Sequence, residues 1–186
     1  GDLLVSFRQT STVGIVDRST GEFRWKWGPG EVSHQHNPTY LDNGHILLFD
    51  NGPHCQGMSL SRVIEVDPSD NQVVWEYKGD PPISFFSYHI SGAERLPNGN
   101  TLTLLWERIP AELTARVQGG FTSEDDADQM FGDIVEEITP DGQVVQQWQI
   151  WKHLDVEQDL ICPLEGRRES GQCNPPSSPA GGGLVV

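Results

Sequence analysis

The chain predicts an all-β fold: a β-propeller of four-stranded antiparallel blades, about three to four of them, forming part of a ring. Three observations carry that prediction. Apolar and polar residues alternate over short runs, while long helical periodicity is nearly absent. Clusters of Gly, Asn, Asp and Pro separate the runs. The order hairpin, strand, turn, strand then returns with a period of about 50 residues, which is the range of propeller blades.

The elements follow in order. "LLVSF", "TVGIVD" and "EFRWKWG" read as three short strands, the last two joined by the turn "DRSTG". "NPTYLD-NG-HILLFDNG" is a hairpin on Asn43-Gly44. "SRVIEVD", the turn "PSDN" and "QVVWEYKG" complete that unit. The same order returns in "SGAERLP-NG-NTLTLLWE" and "GDIVEEITP-DG-QVVQQWQI". Asn98-Gly99 repeats the turn of Asn43-Gly44, and Trp25, Trp75 and Trp148 repeat the aromatic of the last strand. One blade cannot bury both its faces alone, so neighbours must stack. The inward alternates predict a core of Val13, Ile15, Leu47, Phe49, Val63, Ile64, Val66, Leu102, Leu104, Ile134 and Ile138.

Residues 1–169 are assigned to the partial propeller and 170–186, rich in Pro, Gly and Ser, to a tail or incomplete further blade. Residues 107–131, with the acidic run "TSEDDADQ", read as a solvated insertion in the third unit. "WKHLDVEQDL" could form one helical turn between blades. The first unit has three strands where the others have four. This leads us to expect a piece of a longer ring, closed by further blades or by self-association.

Bulk properties exclude some functions. A net charge of -15 argues against nucleic acid and anionic membrane surfaces, since phosphate binding needs a basic face. No apolar run reaches membrane-spanning length. Cys55, Cys162 and Cys173 form no metal-ligand pattern. A bridge from Cys162 to Cys173 and free buried thiols both remain open. No metal and no cofactor are expected.

The stretch "SHQHNPTYLDNGHILLFDNG", residues 33–52, concentrates His34, His36 and His45. Within one extended strand His34 and His36 would share a face, because side chains alternate with period two. His36 falls at the start of an inner strand, and His89 in "SYHISG" stands at the equivalent place in the next unit. His45, after the turn, is expected to face solvent. His54 beside Cys55 makes too few ligands for a metal site. Trp25, Trp75, Trp106 and Trp148 are expected to pack between blades, and Asp17, Asp50, Asp67 and Asp141 to sit in turns.

The combination of "GDLLVSFRQTSTVGIVDRSTGEFRWKWG", "SHQHNPTYLDNGHILLFDNG", "SRVIEVD", "VVWEY" and "SFFSYHISGAERLPNGNTL" resembles the arylsulfotransferase family over most of residues 1–169. That family consists of six-bladed propellers. The resemblance implies transfer of a sulfuryl group from an aryl sulfate to a phenol through a histidine intermediate, without a nucleotide donor. It makes His36 in "HQHN" the nucleophile and Arg8 in "SFRQTS" the clamp on the sulfate oxygens. His34, His89 and Asn37 are the candidate substrate-binding residues. His34 or His89 could protonate the departing phenolate. The family's Trp-Thr-His-x-Asn-Ser motif has its nearest counterpart in "RRESGQCNPP", where Ser170 replaces the Trp and Gln172 the His, with Cys173 and Asn174 in place. The resemblance also implies an extracytoplasmic setting, periplasmic or secreted. The alternative is a non-catalytic extracellular propeller used as a binding or structural scaffold module.

Overall fold

The structure is a computed structural model and describes residues 1–52, 60–108 and 131–153. It is all-β, with three antiparallel sheets and no closed ring. The first sheet runs β1 (Leu3–Phe7), β2 (Thr12–Val16), β3 (Phe23–Trp27). The second runs β4 (His36–Tyr40), β5 (Ile46–Asp50), β6 (Arg62–Asp67), β7 (Gln72–Tyr77). The third runs β8 (Gly92–Arg95), β9 (Thr101–Arg108), β10 (Phe131–Ile138), β11 (Val144–Gln149). The three sheets make up one compact unit, Gly1–Glu107 with Asp133–Gln149, apart from the last residue of β9 and the first two of β10. Outside it, the described residues include a short 3-10 turn at Ile150–Lys152. Among the described residues no helix is long and apolar enough to cross a membrane.

The repeat seen in the sequence is a repeat of hydrogen bonds. In the β4–β5 hairpin Gly44 N donates to Leu41 O and Leu41 N to His45 O, both at 2.9 Å. The β8–β9 hairpin repeats this, Gly99 N to Leu96 O at 2.9 Å and Leu96 N to Asn100 O at 2.8 Å. Gly142 of β10–β11 makes the same bond to Thr139 O. The three glycines have φ of 87°, 88° and 85°, a region most side chains resist. The β2–β3 and β6–β7 turns share a second design. Asp17 and Asp67 each accept the backbone N–H two residues on, from Ser19 and Ser69, both at 2.8 Å. These carboxylates therefore open the turns, Asp67 as the last residue of β6, and bond into them as Asp chemistry predicts.

Stacking is keyed by the last-strand tryptophans. Trp25 Nε1 donates to Asn71 Oδ1 of the second sheet's outer turn, and Trp75 Nε1 to Pro140 O of the third's, both at 2.8 Å. Between the first two sheets lies a cluster of Val13, Trp27, Val32, Ile46, Leu48, Ile64 and Val66. The pairings Ile46↔Val66 and Leu48↔Ile64 put four of these on one face of the second sheet. Leu47, Phe49 and Val63 fill its other face, where the Phe49 and Phe85 rings meet at 5.6 Å.

The alternation rule therefore found half of this core. Ile46 and Leu48 are as buried as Leu47 and Phe49, because a sheet between two neighbours hides both faces. Conversely Leu104, expected inside, is 37% exposed, and Ile15 and Leu102 are only half-buried. Two polar expectations also change. Asp50 is not in a turn but ends β5, buried, with Oδ2 2.9 Å from Arg62 Nε. His45 does not simply face solvent, since its Nδ1 lies 2.7 Å from Glu65 Oε1.

Candidate functional site

The site forms where β1, β4 and β8, the first strands of the three sheets, come together. Arg8 does not lie within a strand. It opens the 3-10 turn Arg8–Thr10 just beyond β1, closed by Ser11 N to Arg8 O at 3.2 Å with Ser11 at φ 51°. Among the described residues no carboxylate pairs with Arg8. Its Nη2 instead lies 3.3 Å from His89 Nδ1.

His34 is held by a different device from the one the sequence suggests. It precedes β4 and has φ 54°, so period-two alternation does not apply to the pair His34 and His36. Its backbone N–H meets Ser11 Oγ at 3.4 Å, and its Nδ1 lies 2.9 Å from Ser33 Oγ. Ser33 N–H in turn donates to Asp50 Oδ1 at 2.8 Å. Gln35, 1% exposed, straps this segment to the Arg8 turn. Its Nε2 donates to Ser6 Oγ and to Thr12 O, both at 3.0 Å, one on each side of the turn.

His36 begins β4. His36 pairs with Phe49 and Thr39 with Leu47, so the strand carries one extra residue between them. Asn37 at φ 52° and Pro38, which has no N–H to give, form that bulge on the edge strand. Asn37 Nδ2 donates to Ala93 O at 2.9 Å, so this amide nitrogen ties β4 to β8. His36 Nδ1 lies 2.7 Å from Asn51 Oδ1.

His89 comes from the loop between β7 and β8. Tyr88 meets its ring edge-on at 4.3 Å, and Trp106 lies tilted at 5.9 Å. Phe86 extends this wall, its ring 6.4 Å from that of Tyr88. Trp106 therefore lines the site from β9, unlike Trp25 and Trp75, which pack between sheets. The His89 imidazole is held below its usual pKa of 6.5, first by its partial burial, then by the charges of Arg8, His36 and His34. Arg8 touches the ring directly, and His36 shares its partner Asn51 with the backbone carbonyls on either side of His89.

An arginine N–H can only donate, so His89 Nδ1 accepts and its proton sits on Nε2. The arrangement thus offers a permanent cation, two further imidazoles, an N–H donor and an aromatic wall. It can receive an anion carrying a ring. Among the described residues no group of three or more His, Cys, Asp or Glu is placed to hold a metal ion. The structure sets Arg8 against His89, links His36 through Asn51 to the His89 loop and ties His34 through Ser11 to the Arg8 turn; Asn37 adjoins His36 and bonds across to β8. Sequence reading missed Gln35, Asp50 and Asn51. The only signal was the second Asn-Gly pair of "FDNG", which reads as one more turn. Cys55, His54, the bridge from Cys162 to Cys173, Ser170, Gln172 and nearly all of the acidic insertion lie outside the described residues.

No protein-family model, no curated protein and no solved structure matches this chain.

Proposed function

We propose that this propeller moves a sulfuryl group from an aryl sulfate to a phenol, with His36 as the nucleophile. The observation that supports this reading is the convergence of Arg8, His34, His36 and His89 beside an aromatic wall in a chain whose net charge is -15. An arginine clustered with histidines in an acidic protein calls for an anionic ligand.

Sulfuryl transfer, like phosphoryl transfer, has a loose transition state with charge spread over peripheral oxygens. The Arg8 fork suits two of those oxygens and keeps its charge at any working pH. A lone pair of the His36 imidazole forms a bond to sulfur as the sulfur–aryl-oxygen bond breaks, and that electron pair leaves on the phenolate. His89 Nε2–H stabilises the departing oxygen by a hydrogen bond; a neutral imidazole has no proton to give up cheaply, so the phenolate takes its proton from solvent. In the second half the acceptor phenol gives its hydroxyl proton to solvent, its oxygen forms the bond to sulfur, the nitrogen–sulfur bond breaks, and that pair returns to His36 Nε2. Tyr88, Trp106 and Phe86 supply ring faces and edges for the aryl group. The resemblance of the sequence adds an extracytoplasmic setting to the proposal.

The test uses the full chain with 4-nitrophenyl sulfate and a phenol acceptor. The expected result is acceptor-dependent release of nitrophenol, with a sulfuryl adduct on the His36 peptide by mass spectrometry. His36→Ala should lower turnover by on the order of 10³-fold or more and remove the adduct. Full turnover in that variant rejects the nucleophile. Neither adduct nor turnover in the wild-type chain leaves the scaffold reading instead.

A further inference from the structure

Asn51 follows the last residue of β5, is fully buried, and has its side chain at the centre of the site's support. Its Nδ2 donates to Ser87 O at 2.8 Å and to Ile90 O at 3.0 Å. Both acceptors are backbone carbonyls, which cannot donate, so the orientation of this amide is fixed by its partners. Oδ1 must then be the atom that faces His36, at 2.7 Å from Nδ1. An amide oxygen only accepts. The imidazole proton therefore sits on Nδ1, and Nε2 keeps its lone pair.

The same side chain holds the loop that carries His89. Ile90 and Ser91 have φ of 56° and 88°, a strained region for residues with a Cβ. Asn51 bonds to the carbonyls of Ser87 and Ile90, on either side of His89. Ser61 completes the brace, its Oγ donating to Asn51 O at 2.9 Å and accepting Ser87 N–H at 2.9 Å.

We propose that Asn51 is a positioning residue that locks His36 in the Nδ1–H tautomer, makes Nε2 the reacting atom, and fixes the His89 loop against it. The role in turnover rests on the sulfuryl-transfer reading; the tautomer does not. Nitrogen NMR of histidine-labelled full chain therefore comes first. The expected signals of the neutral His36 imidazole are a protonated Nδ1 and an unprotonated Nε2. A neutral imidazole protonated on Nε2 instead overturns the proposal, whatever the activity. With the expected tautomer but no sulfuryl adduct, the sulfuryl reading fails and the lock stands.

Asn51→Ala should give mixed tautomers at His36 and lower kcat/KM on the order of 10- to 100-fold, as loss of a histidine's orienting partner does elsewhere. An unchanged tautomer in this variant overturns the lock. Asn51→Asp separates positioning from mere folding. Its carboxylate stabilises the imidazolium of His36, so the acidic limb of the kcat/KM profile should move to higher pH. A rate lowered equally at every pH, with the limb unmoved, would make Asn51 a structural residue only.

Discussion

At the scale of single residues, the site rests on a guanidinium placed against an imidazole. Arg8 disfavours a second positive charge at His89, which is one reason that imidazole stays neutral below its ordinary pKa of 6.5. Arg8→Ala removes that cause. The His89 titration midpoint should then rise towards 6.5, followed through its ring proton by NMR. A midpoint that stays put would mean the two side chains are not neighbours. With the folded pKa depressed, the unfolded chain takes up the proton first as pH falls, so the contribution is full above 6.5 and is lost as pH drops through the folded value. His36 and His89 stood out in the sequence because a histidine recurs at equivalent places of the repeat, whereas Arg8 stood out only through the resemblance of "SFRQTS". Asn51 and Gln35 were not, because their work is to bond backbone and side chains far away in the chain, and nothing local marks it.

At the scale of elements, the hairpins set the register that delivers these residues. Gly44 has φ 87°, and a Cβ built on it would meet nothing within 4 Å. Gly44→Ala therefore tests backbone strain without a clash. We expect a loss of about 1 kcal/mol in urea unfolding, with Gly44→Asn costing less, since Asn tolerates the left-handed region. Equal stability of all three proteins would mean the turn is not built this way. Asn-Gly in the sequence announced the hairpin and its place. It did not announce that the glycine alone takes the positive φ, with Asn43 Oδ1 accepting His45 N–H at 3.0 Å. The β4 bulge was likewise unreadable. Pro38 hinted at an edge strand, but the extra residue between His36 and Thr39 follows from pairing with β5, a tertiary fact.

For the whole molecule, the repeat foretold three sheets in sequence order. It could not foretell which faces are covered, since alternation assumes one wet face and the inner strands β5 and β6 have none. The joint between the second and third sheets shows how polar groups enter such a covered face. Glu65, 7% exposed on β6, accepts from His45 Nδ1 at 2.7 Å, Asn43 Nδ2 at 3.0 Å and Arg95 Nη2 at 2.9 Å. Arg95 belongs to β8 and also lies over the Trp75 ring at 4.9 Å. Burial alone would raise the Glu65 pKa; the hydrogen bonds from His45 and Asn43 and the Arg95 charge outweigh it and hold it below 4.5. A depressed folded pKa means stability that is full above 4.5 and lost as pH falls through the folded value. Glu65→Gln removes the charge while keeping the shape. It should lower stability at neutral pH by about 2 kcal/mol, because Arg95 then faces no carboxylate in a half-buried joint. Its acid loss below 4.5 should also be shallower than that of the wild type, by chemical denaturation at a series of pH values. Other carboxylates with depressed pKa values, such as Glu76 and Asp67, remain in both proteins and cancel in the comparison. Two parallel stability curves below 4.5 would show that this carboxylate does not carry the joint between the sheets.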